Sequence, residues 1–182
     1  MVEKAEELEQ LGVYFITGEI NEEMITPICK DILLKKFDRE KFKRNKLTFV
    51  INSNGGELES TFSLLEIMKY SGFEIETVGI GVVFSSALLI LMSGTPGKRK
   101  VSKDTTLMSH AYSWGWESGS YNELFERRKI EDFVYERYEG IYKKCTKLSI
   151  EKIRKELLGS TDCWLTPLEA KKFGIIDAII AN

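Results

Sequence analysis

Residues 47–56 read LTFVINSNGG, and residues 75–92 read IETVGIGVVFSSALLILM. In both stretches an apolar run rich in β-branched residues leads into glycine, and apolar side chains at helical spacing follow. This order is typical of a buried strand, a tight turn and a helix. The turns are predicted at residues 53–56 and 81–84. The two strand–turn–helix units are predicted at Leu47–Asn52 with Leu58–Tyr70, and at Ile75–Ile80 with Ser85–Met92.

The same alternation continues on either side of these two units. Further strands are predicted at Gly12–Thr17, around Val101, at Thr106–Ser109 and at Ile175–Ile180. Further helices are predicted at Asn21–Phe37, Tyr121–Lys147 and Ile150–Leu158, and a capping box at Thr166–Glu169 predicts one more, ending near Gly174. Because strands alternate with helices throughout, we expect an α/β fold with mostly parallel pairing.

Pro27 leaves the start of the first predicted helix open. In one interpretation Thr26 caps the helix and the proline occupies its first position, where a missing N–H does no harm. In the other, the helix begins earlier, near Asn21, and Pro27 kinks it.

Length and composition limit the classes of protein that this chain can form. A length of 182 residues predicts a single domain, residues 1–182, because domains average about 150 residues. The hydrophobic share of 43% is enough for a core and excludes intrinsic disorder. The 26 basic and 28 acidic residues give a net charge of −2, which argues against a nucleic-acid-binding protein.

The same sequence predicts a soluble, cytoplasmic protein. Its longest apolar run, Ala87–Met92, is far shorter than the roughly 18 residues of a membrane span, and its N-terminus is too charged for a signal peptide. The three cysteines, Cys29, Cys145 and Cys163, are widely spaced and form no CxxC pair. We therefore expect neither disulfides nor a cysteine zinc site, and no metal elsewhere.

Three residues have the chemistry of an acyl-transfer triad. Ser85 follows a predicted strand and tight turn, as a nucleophile does in an elbow, although a serine there also caps helices. His110 is the only histidine in the chain and ends a predicted strand. Asp162 precedes the aromatic Trp164, where a carboxylate also serves as a turn cap. Together they match a serine nucleophile, an imidazole base and a buried carboxylate, while each alone remains ambiguous.

Two further features are open to more than one interpretation. The glycines of residues 54–56 expose backbone N–H groups near a helix N-terminus, which suits an anion, but a turn that needs positive φ requires the same residues. The aromatic side chains of Tyr112, Trp114 and Trp116 form either an exposed binding surface or a packed β-ribbon.

A set of motifs in fixed order gives these candidates a common context. The motifs are Ile51–Gly56 (INSNGG), Gly81–Ser85 (GVVFS), Gly97–Arg99 (GKR), Met108–His110 (MSH), Asp162–Ala170 (DCWLTPLEA) and Phe173–Asp177 (FGIID). From Val13 to Ile180 the chain resembles the proteolytic subunit of the Clp ATP-dependent protease, the ClpP family. That family has INSPGG, GxAASM, GKR, MIHQP, DRFLSAxEA and YGLVD in the same order.

The resemblance implies a fold, a reaction and a site. The fold is the ClpP/crotonase-like arrangement of repeated β-β-α units with a helical handle. The reaction is endopeptidase cleavage of short peptides and unfolded polypeptides, with Ser85 as nucleophile, His110 as general base and Asp162 as the orienting carboxylate. Gly56 and Ser86 correspond to the backbone N–H donors of the oxyanion hole. Lys98 and Arg99 correspond to structural positions.

The resemblance also implies partners. Members form homo-oligomeric, seven-membered rings that stack in pairs, and a separate AAA+ Clp unfoldase supplies ATP hydrolysis, so no cofactor is expected in this chain.

The predicted helix at residues 121–147 corresponds to the handle that meets the opposite ring. It is expected to expose apolar side chains at helical spacing, namely Leu124, Phe125, Phe133, Tyr138 and Ile141. Ser160-Thr161 replaces an acidic-arginine pair that couples the rings in the family, so weaker stacking is expected. Val50 replaces a tyrosine of the pocket that receives the unfoldase loops, so altered docking of the unfoldase is expected.

Three alternatives stay open at this stage. A relative similar to enoyl-CoA hydratase would use carboxylates in place of Ser85. A relative similar to signal-peptide peptidase would use a lysine base, for which Lys98 is the nearest candidate. A catalytically silent subunit would build or modulate a mixed ring.

Overall fold

The computed structural model describes residues 7–112 and 120–180, and its core is one seven-stranded sheet with helices packed on it. The strands are β1 (Val13–Ile20), β2 (Lys46–Gly56), β3 (Glu74–Phe84), β4 (Arg99–Ser102), β5 (Thr106–Ser109), β6 (Cys163–Leu165) and β7 (Ala178–Ile180). The helices are α1 (Glu22–Phe37), α2 (Leu58–Ser71), α3 (Ser86–Met92), α4 (Tyr121–Cys145), α5 (Ile150–Lys152), which continues as a π-helical turn (Ile153–Leu157), and α6 (Pro167–Phe173).

The sheet changes partners along β3. Strands pair in the order β1-β2-β3-β4-β7, and all of these pairs are parallel, as predicted. Residues 77–79, in the middle of β3, pair with β4, whereas its last residues, 82–84, pair with residues 106–108 of β5. Strand β6 then adds to β5 in antiparallel register. The carboxyl end of β3 therefore lies beside the carboxyl end of β5.

Helix α3 is buried on every side. All seven of its residues are buried, and it contacts β2, β3 and α2. Five of the seven are leucine, isoleucine or methionine, and burying each such side chain contributes about 1.5–3 kcal/mol. A helix that is apolar all round belongs inside a core, and this burial holds the start of α3 firmly at the end of β3.

Helix α1 settles the question that Pro27 left open. The helix begins at Glu22, and the Asn21 side chain caps it by accepting a hydrogen bond of 3.0 Å from the Met24 N–H. Pro27 therefore lies inside a helix that begins earlier, and Thr26 is not its cap.

Several predicted boundaries are wrong, for a shared reason. Strands β2 and β3 continue through the segments predicted as turns, because Gly55 and Gly56 still pair with β1 and residues 82–84 still pair with β5. Strand β7 includes only Ala178–Ile180, and β6 was not predicted at all. Pairing partners far away in sequence decide these strand limits. The helix predicted at residues 150–158 differs in another way, because it becomes a π-helical turn after Lys152.

The last two helices show where local signals suffice and where they do not. The capping box of Thr166 and Glu169 and the left-handed Gly174 that ends α6 are confirmed. In α4, Leu124, Phe125 and Phe133 are exposed as predicted, but Tyr138 is only 2% exposed and Ile141 is partly buried. The prediction was wrong for these two because the carboxyl-terminal turns of α4 pack against the core. None of the helices in the described part of the chain is both long and apolar enough to cross a membrane.

Candidate active site

Ser85 occupies a strained turn between β3 and α3. Its φ of 55° and ψ of −127° make it the one non-glycine residue with positive φ among residues 7–112 and 120–180. Such a conformation costs of order 1–3 kcal/mol and persists only where the surroundings hold it. Ser85 stands at the N-cap position of α3, yet its side chain makes no capping hydrogen bond. Its N–H donates to the Met108 carbonyl at 3.0 Å, which fixes the turn against β5.

The hydroxyl of Ser85 instead meets His110. The Ser85 Oγ and the His110 Nε2 lie 2.7 Å apart. The two residues are 25 positions apart in sequence and meet because β5 pairs with the end of β3. A neutral imidazole whose Nε2 accepts the serine proton carries its own proton on Nδ1. This contact is that of a hydroxyl and a base able to remove its proton.

Asp162 lies on the other side of the imidazole, at a longer distance. Its Oδ1 is 3.9 Å from the His110 Nδ1, which is too far for a direct hydrogen bond. The antiparallel pairing of Ser109 with Cys163 brings the two residues together. The carboxylate was predicted to be buried, but its side chain is 52% exposed, because Asp162 precedes β6 in a segment at the surface.

The paired glycines lie against the first turn of α3. Gly55 has a φ of +97°, and a Cβ added there would lie 2.8 Å from the Ser85 Cβ and 3.1 Å from the Ser86 nitrogen. The Gly56 carbonyl accepts a hydrogen bond of 3.3 Å from the Ser86 hydroxyl. Ser86 is the first residue of α3, so its N–H has no partner inside the helix. Gly56 and Ser86 are therefore in contact beside Ser85, and the absence of a side chain at Gly55 allows β2 to approach the serine turn this closely.

An aromatic pair flanks the serine, and sequence reasoning did not select it. Phe84 and Trp164 stack edge to face with ring centroids 5.1 Å apart, and Trp164 is 57% exposed. Of the aromatic residues that were selected, Trp114 and Trp116 lie outside the described residues. Tyr112 is partly buried, with its ring 6.2 Å from that of Tyr138. The only sequence signal for Trp164 was its position two residues after Asp162.

Lys98 and Arg99 lie away from the serine. The Lys98 Nζ is 3.4 Å from the Glu74 Oε1, at the opposite end of β3 from Ser85. It therefore cannot act as the base for this serine. The Arg99 guanidinium forms two hydrogen bonds with the Asp177 carboxylate, at 2.9 and 2.6 Å, and a third with the Cys145 carbonyl at 2.9 Å. Arg99 joins β4, α4 and the segment before β7, which is a structural role.

No cluster of three or more His, Cys, Asp or Glu side chains suited to a metal ion occurs in the part of the chain that the structure describes. The site has a hydroxyl, an imidazole and backbone N–H groups, which are the groups that acyl transfer by a serine requires.

Comparisons with known proteins point in one direction. The sequence model of the Clp protease family matches residues 2–182. The chain is 27% identical to ATP-dependent Clp protease proteolytic subunit 1 of Corynebacterium jeikeium, over 97% of this chain and 91% of that protein. It is 29% identical to proteolytic subunit 2 of Thermobifida fusca, over 98% and 85% of the two chains. It is also 29% identical to proteolytic subunit 2 of Corynebacterium diphtheriae, over 97% and 86%.

Proposed function

The chain belongs to the Clp protease family of peptidases, and from this we propose that it is a serine endopeptidase subunit that uses Ser85, His110 and Asp162. Membership confirms the α/β fold class and the peptidase class predicted from the sequence. The contact that carries the proposal is the 2.7 Å distance between the Ser85 Oγ and the His110 Nε2. The strained backbone of Ser85 supports it, because unusual φ and ψ values cluster at functional sites.

In the proposed reaction the Ser85 Oγ attacks the carbonyl carbon of the scissile peptide bond. The His110 Nε2 takes the serine proton and then donates it to the leaving amine, which leaves an acyl ester on the Oγ. A water molecule then loses a proton to the same nitrogen, attacks the ester, and frees the Oγ with its proton restored. The N–H groups of Gly56 and Ser86 would stabilise the oxyanion of each tetrahedral intermediate.

Asp162 would orient the imidazole and stabilise its protonated form. At 3.9 Å it can act as a charge but makes no direct hydrogen bond to the His110 Nδ1. Its exposure means that the attraction is screened by solvent, so its contribution should be smaller than that of a buried carboxylate.

Labelling with a serine-directed fluorophosphonate tests the nucleophile. We expect the wild-type chain to be labelled and the Ser85→Ala variant to be neither labelled nor active on a short fluorogenic peptide. Ser86→Ala is the matched control, because it removes a neighbouring hydroxyl and keeps the backbone N–H. Loss of labelling in Ser86→Ala alone would move the nucleophile to Ser86, and an unlabelled, inactive wild-type chain would favour a silent subunit.

The family works as ring oligomers with Clp ATPases. We propose a seven-membered ring of single-domain subunits in the cytoplasm, stacked in pairs, that receives unfolded polypeptides from an AAA+ Clp unfoldase. The chain has no glycine-rich turn followed by Lys-Ser or Lys-Thr, so ATP would be used by that unfoldase. The chain alone should cleave short peptides without ATP and leave a stably folded protein intact. Rapid degradation of the folded protein by this chain alone would contradict the proposal.

A further inference from the structure

A chain of buried hydroxyl groups lies directly behind His110. The Tyr138 hydroxyl donates a hydrogen bond of 3.0 Å to the His110 carbonyl. The Tyr142 hydroxyl lies 2.8 Å from the Ser109 Oγ and 3.4 Å from the Tyr138 hydroxyl. The Ser109 Oγ donates a hydrogen bond of 2.7 Å to the Leu157 carbonyl. The side chains of Tyr138, Tyr142 and Ser109 are all buried.

The partners of these hydroxyl groups determine which group donates each hydrogen bond. The carbonyls of His110 and Leu157 only accept, so they take the protons of Tyr138 and Ser109. The Tyr142 proton then goes to the Ser109 Oγ, which is the nearer of its two possible acceptors. Burial raises the pKa of both tyrosines above the usual range, so both hydroxyls keep their protons near neutral pH.

These hydrogen-bonded hydroxyl groups join three segments that are far apart in the sequence. Tyr138 and Tyr142 are four residues apart and therefore share one face of α4. Ser109 is the last residue of β5, and Leu157 ends the π-helical turn that precedes Asp162. The neighbouring Glu139 and Arg154 form two hydrogen bonds, at 2.5 and 2.9 Å, that hold α4 to the same turn.

The backbone of His110 needs support from outside its strand, because β5 ends one residue earlier. Its side chain must meet a hydroxyl 2.7 Å away, yet the strand that holds its backbone ends at Ser109. A displacement of about 1 Å at a reacting group can lower the rate by about a hundredfold. The bond from Tyr138 acts on the carbonyl of His110 itself, whereas Tyr142 acts on the residue before it.

We propose that Tyr138 is a positioning residue that holds the His110 backbone so that its imidazole meets Ser85. The inference rests on the proposed function, because it assigns Tyr138 a part in the serine–histidine reaction. The Tyr138 hydroxyl bonds the His110 carbonyl and not the reacting pair, the Ser85 Oγ and the His110 Nε2. Its hydroxyl limits the movement of the residue that carries the base, and its effect should be on kcat.

Three variants that each remove one hydroxyl and keep the ring test this role. They are Tyr138→Phe, Tyr142→Phe and Tyr135→Phe, made in the full-length chain and compared with wild type by kcat, KM, thermal midpoint and fluorophosphonate labelling rate. Tyr142→Phe is the matched control for burial, since Tyr142 is as buried as Tyr138. Tyr135 lies on the same helix and is only partly buried, so its variant controls for the helix.

We expect Tyr138→Phe to lower kcat and the labelling rate about tenfold, the effect of one lost hydrogen bond, and to change KM less than about twofold. Tyr142→Phe should leave kcat within about twofold of wild type, although its thermal midpoint should fall at least as much as that of Tyr138→Phe. Tyr135→Phe should change neither quantity. If Tyr138→Phe and Tyr142→Phe lost kcat equally, in proportion to the fall in their thermal midpoints, the positioning role would be overturned. An unchanged kcat in Tyr138→Phe would overturn it as well.

The single histidine supplies a second measurement. In an NMR spectrum of the isotope-labelled protein, the histidine signals come from one imidazole. Tyr138→Phe should shift or broaden these signals more than Tyr142→Phe does. A wild-type chain that neither hydrolyses peptide nor reacts with fluorophosphonate would overturn the proposed function, and this role with it. An active wild type with an unchanged imidazole signal in Tyr138→Phe would overturn the positioning role alone.

Discussion

The Nδ1 of His110 and the Oδ1 of Asp162 lie 3.9 Å apart, close enough for electrostatic attraction and too far for a direct hydrogen bond. Among residues 7–112 and 120–180, the imidazole therefore has a short contact with Ser85 and a longer one with an exposed carboxylate. In a triad with a buried, hydrogen-bonded aspartate, the carboxylate fixes the tautomer. The positioning role that we propose for Tyr138 would give the backbone of His110 a part in orienting the ring.

The first prediction concerns Asp162. Replacing it by asparagine should lower kcat/KM by clearly less than the roughly 10⁴-fold loss that follows the same change in a tightly hydrogen-bonded triad. Ser85→Ala and His110→Gln should both cause greater losses than Asp162→Asn, measured on the same short peptide. A loss in Asp162→Asn as large as that in His110→Gln would mean that the carboxylate forms a direct hydrogen bond during the reaction.

Gly55 provides the second prediction. A Cβ at this position would lie 2.9 Å from the Phe84 carbonyl oxygen as well as against Ser85 and Ser86, so Gly55→Ala must displace the serine turn. We expect about a hundredfold loss of kcat, as for other displacements of about 1 Å. Gly72→Ala is the control, because its φ of +74° is similarly strained but no atom lies within 4 Å of the added carbon. The control should lose stability and keep its kcat, and equal losses of kcat would contradict the steric argument.

A third prediction follows from the ion pair of Arg99 and Asp177. Burial alone would raise the pKa of Asp177, but the hydrogen bonds and charge of Arg99 outweigh it and hold the pKa below its usual range. Arg99→Met should lower the free energy of unfolding by about 3 kcal/mol, because it leaves a partly buried carboxylate without its partner. Arg99→Lys should not restore stability, since an ammonium group cannot form the two parallel bonds. Urea denaturation with tryptophan fluorescence measures both, and full recovery with lysine would count against the geometric explanation.

The fourth prediction concerns Glu76 and acid. Hydrogen bonds from Lys100 and Lys46 lower the pKa of Glu76 from 4.5 to about 2. A carboxyl group with a lowered folded-state pKa stabilises the fold fully above about pH 4.5 and loses that effect as the pH falls towards 2. Glu76→Gln should therefore be less stable than wild type by about 2 kcal/mol at pH 7, with a difference that narrows below pH 4. A difference that stays constant from pH 7 to pH 3 would show that the charge of Glu76 is not its source.

The fifth prediction concerns assembly through α4. Light scattering should give a mass of at least seven times 20.9 kDa at micromolar concentration. Leu124, Phe125, Ile130 and Phe133 are exposed on α4, and burying such side chains between rings would stabilise stacking. Phe133→Glu should shift double rings to single rings. Phe37→Glu, which alters a phenylalanine of similar exposure (72% against 70%) on α1, should leave stacking unchanged. A monomeric wild type would contradict the ring.

Local signals carried much of the fold and the choice of site residues. The two strand–glycine–helix units, the capping box of Thr166 and Glu169, and the left-handed Gly174 each depend on residues within one or two turns of each other, so one sequence is enough to predict them. The serine, histidine and aspartate were selected by residue type and motif order, and their catalytic roles remain predictions.

Tertiary structure decided everything that depends on residues far apart in sequence. Strands β2 and β3 extend past their predicted ends because β1 and β5 offer unpaired backbone groups there, and β6 exists because β5 lies beside it. Tyr138 has the helical spacing of an exposed position and is buried because the end of α4 packs behind His110. The 2.7 Å and 3.9 Å contacts of the imidazole depend on how three strands align. Sequence periodicity records which faces of an element are apolar, whereas burial and distance depend on which distant element packs against each face.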